Sequence, residues 1–181
     1  MSLQFYKPNQ KSTGTACSFW RNAEDNTFWA SLIKQDSWNA KTKTGSFSKN
    51  KDNPKKRAIV KFSDLEIAGF IDAIERNVEY SGYHGSQKQI VKFNFQPYMK
   101  NEEQLGFSFS VNREDKEDST NKIGFIIGFT FGEGVMLREA LIESVRKSIS
   151  MSSAPQRQVP SPTPRPSAAP AQPVGSSNSL D

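Results

Sequence analysis

The sequence is poor in the residues from which many active sites are made. It has one cysteine, Cys17, and one histidine, His84, among 181 residues. One cysteine rules out an internal disulfide and any CxxC metal or redox motif, which fits a reducing compartment. One histidine without partner cysteines argues against a metal cluster. There is no uninterrupted apolar run of about 18 residues, and the N-terminal stretch "MSLQFYKPNQKSTG" lacks a long apolar core, so neither a membrane span nor a secretory signal is expected. The expected setting is cytoplasmic. The GEG at 132–134 lacks the spacing and the Lys-Ser/Thr of a phosphate loop, so it reads as turn chemistry ahead of a helix. No catalytic residue, metal ligand or cofactor is expected from these patterns.

Acidic residues are also scarce in one place. The formal charge is +5, but between residues 34 and 61 nine basic side chains face only Asp36 and Asp52. Residues 62–149 carry an acidic excess instead. A local cationic surplus of this kind points to a polyanionic partner. Aromatic side chains lie in and beside the same segment: Trp20, Trp29, Trp38 and Phe47. Cations that follow phosphates, combined with rings on which bases stack, are what single-stranded nucleic-acid binders use.

Apolar periodicity supplies the framework. "ACSFWRNA", "TFWASLIK", "SWNAKTKTGSF" and "RAIVKF" read as four antiparallel strands. In "SDLEIAGFIDAIERN", Ser63 and Glu66 form an S-x-x-E capping box, and Ile67, Phe70, Ile71 and Ile74 recur at helical spacing. "KQIVKFNFQ", "QLGFSFSVN" and "KIGFIIGFTF" read as three further strands. A second helix follows, with Leu137, Leu141, Ile142, Val145 and Ile149 on one face. The expected fold class is therefore α+β, two antiparallel meanders each followed by a helix (ββββα then βββα), with the helices packed between the sheets. The expected domain is 1–150, in two pseudo-repeated halves of about 15–77 and 88–150. Residues 151–181, rich in Pro, Ser and Ala, are expected to form a disordered tail.

Pleating of a strand across 38–47 would put Lys41, Lys43 and Phe47 on one wet face, because unpaired ammonium groups cannot be buried. Only one of Phe28 and Trp29 can be core. Arg57 and Lys61 make a second basic edge, and "SKNKDNPKK" a basic loop. The candidate nucleic-acid-binding set is Trp20, Arg21, Trp29, Lys34, Trp38, Lys41, Lys43, Phe47, Lys49, Lys51, Lys55, Lys56, Arg57 and Lys61. Both helices are acidic or mixed, which disfavours duplex readout by a recognition helix.

The element order "FWRNAE", "FWASLIKQ", "WNAKTKTGSFSKN", "KKRAIVKFS", then "DLEIAGFIDAIERN" and a second strands-plus-helix unit, resembles the Whirly and transcriptional-coactivator type of single-stranded DNA-binding fold, notably its phage versions. The resemblance implies two units packed through their helices, sheets splayed outward, and a binding surface including Lys41, Lys43, Phe47, Lys49, Lys51, Lys55, Lys56 and Arg57. It implies a non-enzymatic, sequence-tolerant single-stranded DNA-binding protein serving replication or recombination, in the host cytoplasm if viral. The expected partners are single-stranded DNA, further copies in a homo-oligomer, and replication or recombination proteins reached through the tail, with no membrane. The alternatives are an RNA-binding or annealing protein on the same surface, a Mg²⁺-dependent nuclease or recombinase using Glu114 and Asp115, and an interaction module for an acidic protein.

Overall fold

The computed structural model describes residues 2–118 and 122–152. The expected tail, 151–181, lies almost wholly outside the described residues. In chain order the elements are β1 (Ser2–Lys7), β2 (Thr15–Arg21), β3 (Phe28–Lys34), β4 (Ser37–Asn39), β5 (Thr44–Ser46), a 3-10 turn (Ser48–Asn50), β6 (Arg57–Phe62), α1 (Asp64–Arg76), β7 (Tyr80–Gly85), β8 (Gln89–Lys100), β9 (Glu103–Asp115), β10 (Lys122–Phe129) and α2 (Phe131–Ser152). Two four-stranded antiparallel sheets result, β1-β2-β3-β6 and β10-β9-β8-β7, with β4 and β5 as a separate ribbon. The class is α+β, and each meander is followed by its helix.

Period-two alternation sorts the first sheet into two faces. Phe5, Cys17, Phe19, Phe28, Ala30, Leu32, Ala58, Val60 and Phe62 point inward and are buried. In the second sheet Phe93, Phe95, Phe107, Phe109, Val111, Phe125, Ile127 and Phe129 do the same. Ile67, Phe70 and Ala73 of α1 join them with Leu137 and Leu141 of α2, making a single cluster. Phe109 stands at its centre, its ring centroid 5.8 Å from Phe19, 6.4 Å from Phe62 and 5.6 Å from Phe70. Of the thirteen phenylalanines only Phe131 is exposed, whereas all three tryptophans lie half-buried at the surface. Phenylalanine has no polar atom to satisfy; an indole does. Cys17 is fully enclosed, and burial pushes its thiol well up.

The helices start as capping predicts. The Ser63 side chain accepts from the Glu66 backbone N–H, and the Glu66 carboxylate accepts from the Ser63 N–H. Thr130 and Glu133 repeat the box at α2, and Glu133 also pairs with Lys7 at 2.6 Å. This accounts for the glutamate inside GEG. His84, on β7, meets the first turn of α1, its Nε2 lying 2.7 Å from Glu66 Oε1. Along α2 the buried stripe is Leu137, Leu141, Ser144 and Ser148, so it turns onto serines where the expected stripe ran to Ile149, which is exposed. Those serines are needed as partners: Arg21 Nε donates to Ser144 Oγ at 2.6 Å, and the Ser148 hydroxyl donates to Asp64.

Two strand expectations are corrected. The second meander has four strands, since Tyr80–Gly85 pairs antiparallel with β8. "YSGYHG" has two glycines and no aliphatic side chain, and its extended form is imposed by the ladder beside it. The segment 38–47 is not a sheet strand. Asn39 Oδ1 accepts from the Lys41 and Thr42 N–H groups at 3.0 and 3.2 Å, and Lys43 takes a left-handed φ of 54°, so the chain folds back on itself. This side-chain-to-backbone turn chemistry outcompetes a weak strand.

Gly106 is required by geometry. Its φ is +144°, and a Cβ there would lie 2.0 Å from the Phe129 carbonyl oxygen on the neighbouring strand. Gly106→Ala is expected to cost about 3 kcal/mol or more, read as a lower urea midpoint at unchanged slope. A midpoint equal to wild type would refute this account.

Candidate nucleic-acid interface

The outer face of the first sheet is built by register. Trp20 lies opposite Trp29 across β2 and β3, and Trp29 opposite Lys61 across β3 and β6. The Lys61 Nζ sits 5.7 Å from the Trp29 ring centroid, a cation over an indole face. Two further rows run alongside: Gln4, Ser18, Ser31 and Ile59, then Tyr6, Ala16, Ile33 and Arg57. Tyr6 is 59% and Ile59 47% exposed. Phe28 takes the core side, which leaves Trp29 outside.

The Trp29 indole is held in place. Its Nε1 donates to Thr27 Oγ1 at 2.6 Å, and the Thr27 hydroxyl donates to Asp25 at 2.7 Å. That hydroxyl, assisted by Lys61, keeps the Asp25 carboxyl below its ordinary range. Arg57 lies across the sheet, donating through Nε to Ser31 Oγ and through a terminal nitrogen to the Lys51 carbonyl. The Trp29 indole and the Arg57 guanidinium are thus held in place before any ligand arrives.

At the Arg57 end of the sheet stand the ribbon and the basic loop. Gln35, 5% exposed, ties the ribbon to the connection between β1 and β2: its Oε1 accepts from Asn9 and Gly14 N–H groups, and its Nε2 donates to the Asn9 and Ser37 carbonyls. Asp36 accepts from the Ser37 and Ser46 hydroxyls and the Lys49 N–H; these bonds hold its carboxyl below the usual range. Lys41 and Lys43 are exposed at the ribbon's tip, and Lys49, Lys51, Lys55 and Lys56 are exposed along the loop.

Several candidate residues stand elsewhere than expected. Phe47 is buried at 7% exposure, packed 5.9 Å from the Tyr6 ring, so it is not on a wet face with Lys41 and Lys43. The Asn39 turn breaks the alternation on which that reading depended. Arg21 points inward: it is bound to Asn26, Ser144 and Asp64, the last at 2.7 Å. Burial works against the Asp64 carboxylate, but Ser148 and Arg21 outweigh it and keep its pKa below the ordinary value. Lys34 reaches toward the second sheet, its Nζ 5.4 Å from the Phe125 ring. Trp38 is half-buried on the ribbon, opposite Gly45. Trp20, Trp29, Arg57 and Lys61 share one face, and the ribbon and loop that carry the six lysines join the sheet at its Arg57 end. Tyr6 and Ile59 were missed, although the alternation of Leu3 and Phe5 with Gln4 and Tyr6 is visible in the sequence.

The comparisons bear on the fold. Neither a family model nor a curated protein sequence matches this chain. Among solved structures, the plant transcriptional regulator PBF-2 is similar with a TM-score of 0.60 at 11% identity, over 85% of each chain. WHY1 of Arabidopsis thaliana is similar with a TM-score of 0.57 at 13% identity, over 84% of this chain and 92% of that one. MRP1/MRP2 of Trypanosoma brucei gives 0.55 at 13% identity, over 83% and 87%. The fold is therefore of the Whirly type. Among the described residues no helix is long and apolar enough to cross a membrane, and no group of three or more His, Cys, Asp or Glu side chains is placed to hold a metal ion.

Proposed function

We propose that this chain is a non-enzymatic, sequence-tolerant single-stranded DNA-binding protein that coats unpaired strands in replication or recombination. The observation that carries this reading is the row Trp20, Trp29, Lys61 on the outer sheet face, with six exposed lysines on the ribbon and loop that join the other end of that sheet. Bases stack on the indoles without regard to identity, while ribbon and loop follow the phosphates. The Whirly-type fold, shared with a transcriptional regulator, agrees with a nucleic-acid partner. Titration of fluorescent oligo(dT) against a matched duplex tests the reading: a clear preference for the single strand supports it, and equal affinity refutes it. Competition with oligo(U) separates DNA from RNA as the preferred strand.

The loop lysines act through counterion release. Changing Lys51, Lys55 and Lys56 together to alanine should lower the slope of log K against log salt by about 2, because each phosphate contact on a single strand contributes about 0.7. An unchanged slope would remove the loop from the interface.

The same reading includes a homo-oligomer. The helices leave Leu65 85%, Val135 57% and Met136 58% exposed, apolar surface that a further copy would cover. Sedimentation of wild type and Leu65→Lys would show whether α1 takes part.

A further inference from the structure

The basic loop has little packing of its own. Lys51, Asp52, Pro54, Lys55 and Lys56 are exposed, and Asn53 is only half-buried. Three lysines on such a segment repel one another, so its order has to be imposed by contacts with the rest of the protein. The first sheet fixes the two ends. The Lys34 N–H donates to the Lys56 carbonyl at 2.9 Å, Asn50 Nδ2 donates to the Lys34 carbonyl at 2.9 Å, and Arg57 Nη1 donates to the Lys51 carbonyl at 2.9 Å.

The middle of the loop is fixed from the other half of the chain. Arg113, on β9, donates through a terminal nitrogen to the Pro54 carbonyl. Its place on the ladder, opposite Val91 and Ile123, puts it in an inward row at the end of the second sheet. Phe125, over which Lys34 Nζ lies, stands in the next inward row. Two cations thus cross between the sheets at this edge of the core: Lys34 from the first to the second, Arg113 back to the loop of the first. Proline has no N–H, so its carbonyl is the backbone group that can be held there. A guanidinium gives that carbonyl a charge-assisted bond, and its charge adds to the positive potential that draws a polyanion.

We infer that Arg113 is a positioning residue for the single-strand interface: by gripping the Pro54 carbonyl it holds Lys55 and Lys56, the next two residues, in order before the strand arrives. The entropy lost in ordering the loop then falls on folding and not on binding. The inference rests on the single-strand reading above, and it gives the second sheet a part in that interface which needs no contact with the strand.

The test compares wild type with Arg113→Met, which keeps an unbranched apolar stem and removes the guanidinium; thermal unfolding checks that the fold is retained. In the protein without DNA, tryptic cleavage after Lys51, Lys55 or Lys56 should run about fivefold faster, because cleavage follows the population of the open loop. Affinity for oligo(dT) should fall about fivefold with the slope of log K against log salt unchanged, since every loop lysine is still present. Arg113→Lys, which keeps a donor and the charge, should lie between the two. Unchanged cleavage or unchanged affinity in Arg113→Met would overturn the inference. So would a slope lower by about 0.7 that Arg113→Lys restores, since Arg113 would then be a phosphate contact. Failure of wild type to bind oligo(dT) would instead refute the single-strand reading, and cleavage of the free proteins would still decide whether Arg113 orders the loop.

Discussion

Replacing Trp20 and Trp29 together by alanine should lower oligo(dT) affinity by at least about tenfold, since stacking contributes about 1–3 kcal/mol per base. The effect should exceed that of any single lysine. It should leave the salt slope nearly unchanged, because no phosphate contact is removed. The indoles lie on the outer face, so the core is spared. Quenching of tryptophan fluorescence on titration should appear in wild type and weaken strongly in Trp29→Ala, which retains Trp20 and Trp38. Affinity within twofold of wild type in the double variant would show that the rings are not a platform for bases.

Phe109→Ala is expected to be the most damaging single truncation in the chain. The ring is completely buried and touches phenylalanines from β2, β6 and α1, which are braced in turn against both sheets. Such a site cannot collapse around the lost ring, so about 3–5 kcal/mol should be lost. That is a large part of the roughly 5–15 kcal/mol that stabilises a typical domain. Chemical denaturation should show it as a shifted midpoint, or as a protein already partly unfolded in buffer. Leu65→Ala, at a position 85% exposed, should change the monomer's stability by no more than about 0.5 kcal/mol. A Phe109 variant as stable as the Leu65 variant would contradict the packing described.

Much of this architecture is readable from periodicity. The Ser63–Glu66 box, the apolar stripe of α1 and the alternation of β3, β6, β8, β9 and β10 each carry their own local signal, because one buried face imposes a period on the residues that fill it. Clustering of charge is similarly plain, since Lys41 through Lys61 are close in sequence whatever the fold. Elements held mainly by neighbours were harder to see. β7 is extended because β8 offers it a ladder. The ribbon turns because one asparagine side chain competes for two backbone N–H groups. In the basic segment lysine and threonine alternate in a strand-like rhythm, and that rhythm hides the turn.

The sequence by itself determined that this is a two-part α+β protein with a cationic stretch in its first half, because burial and charge leave periodic and local marks. Which way each ring faces was decided by the tertiary structure alone. Trp29 goes outward, Phe28 inward, Phe47 against Tyr6 on the outer side, and Arg21 into the seam between sheet and helices. The choice at each position depends on what lies across the ladder and above the face, and those neighbours come from parts of the chain too distant to leave a pattern beside the residue itself.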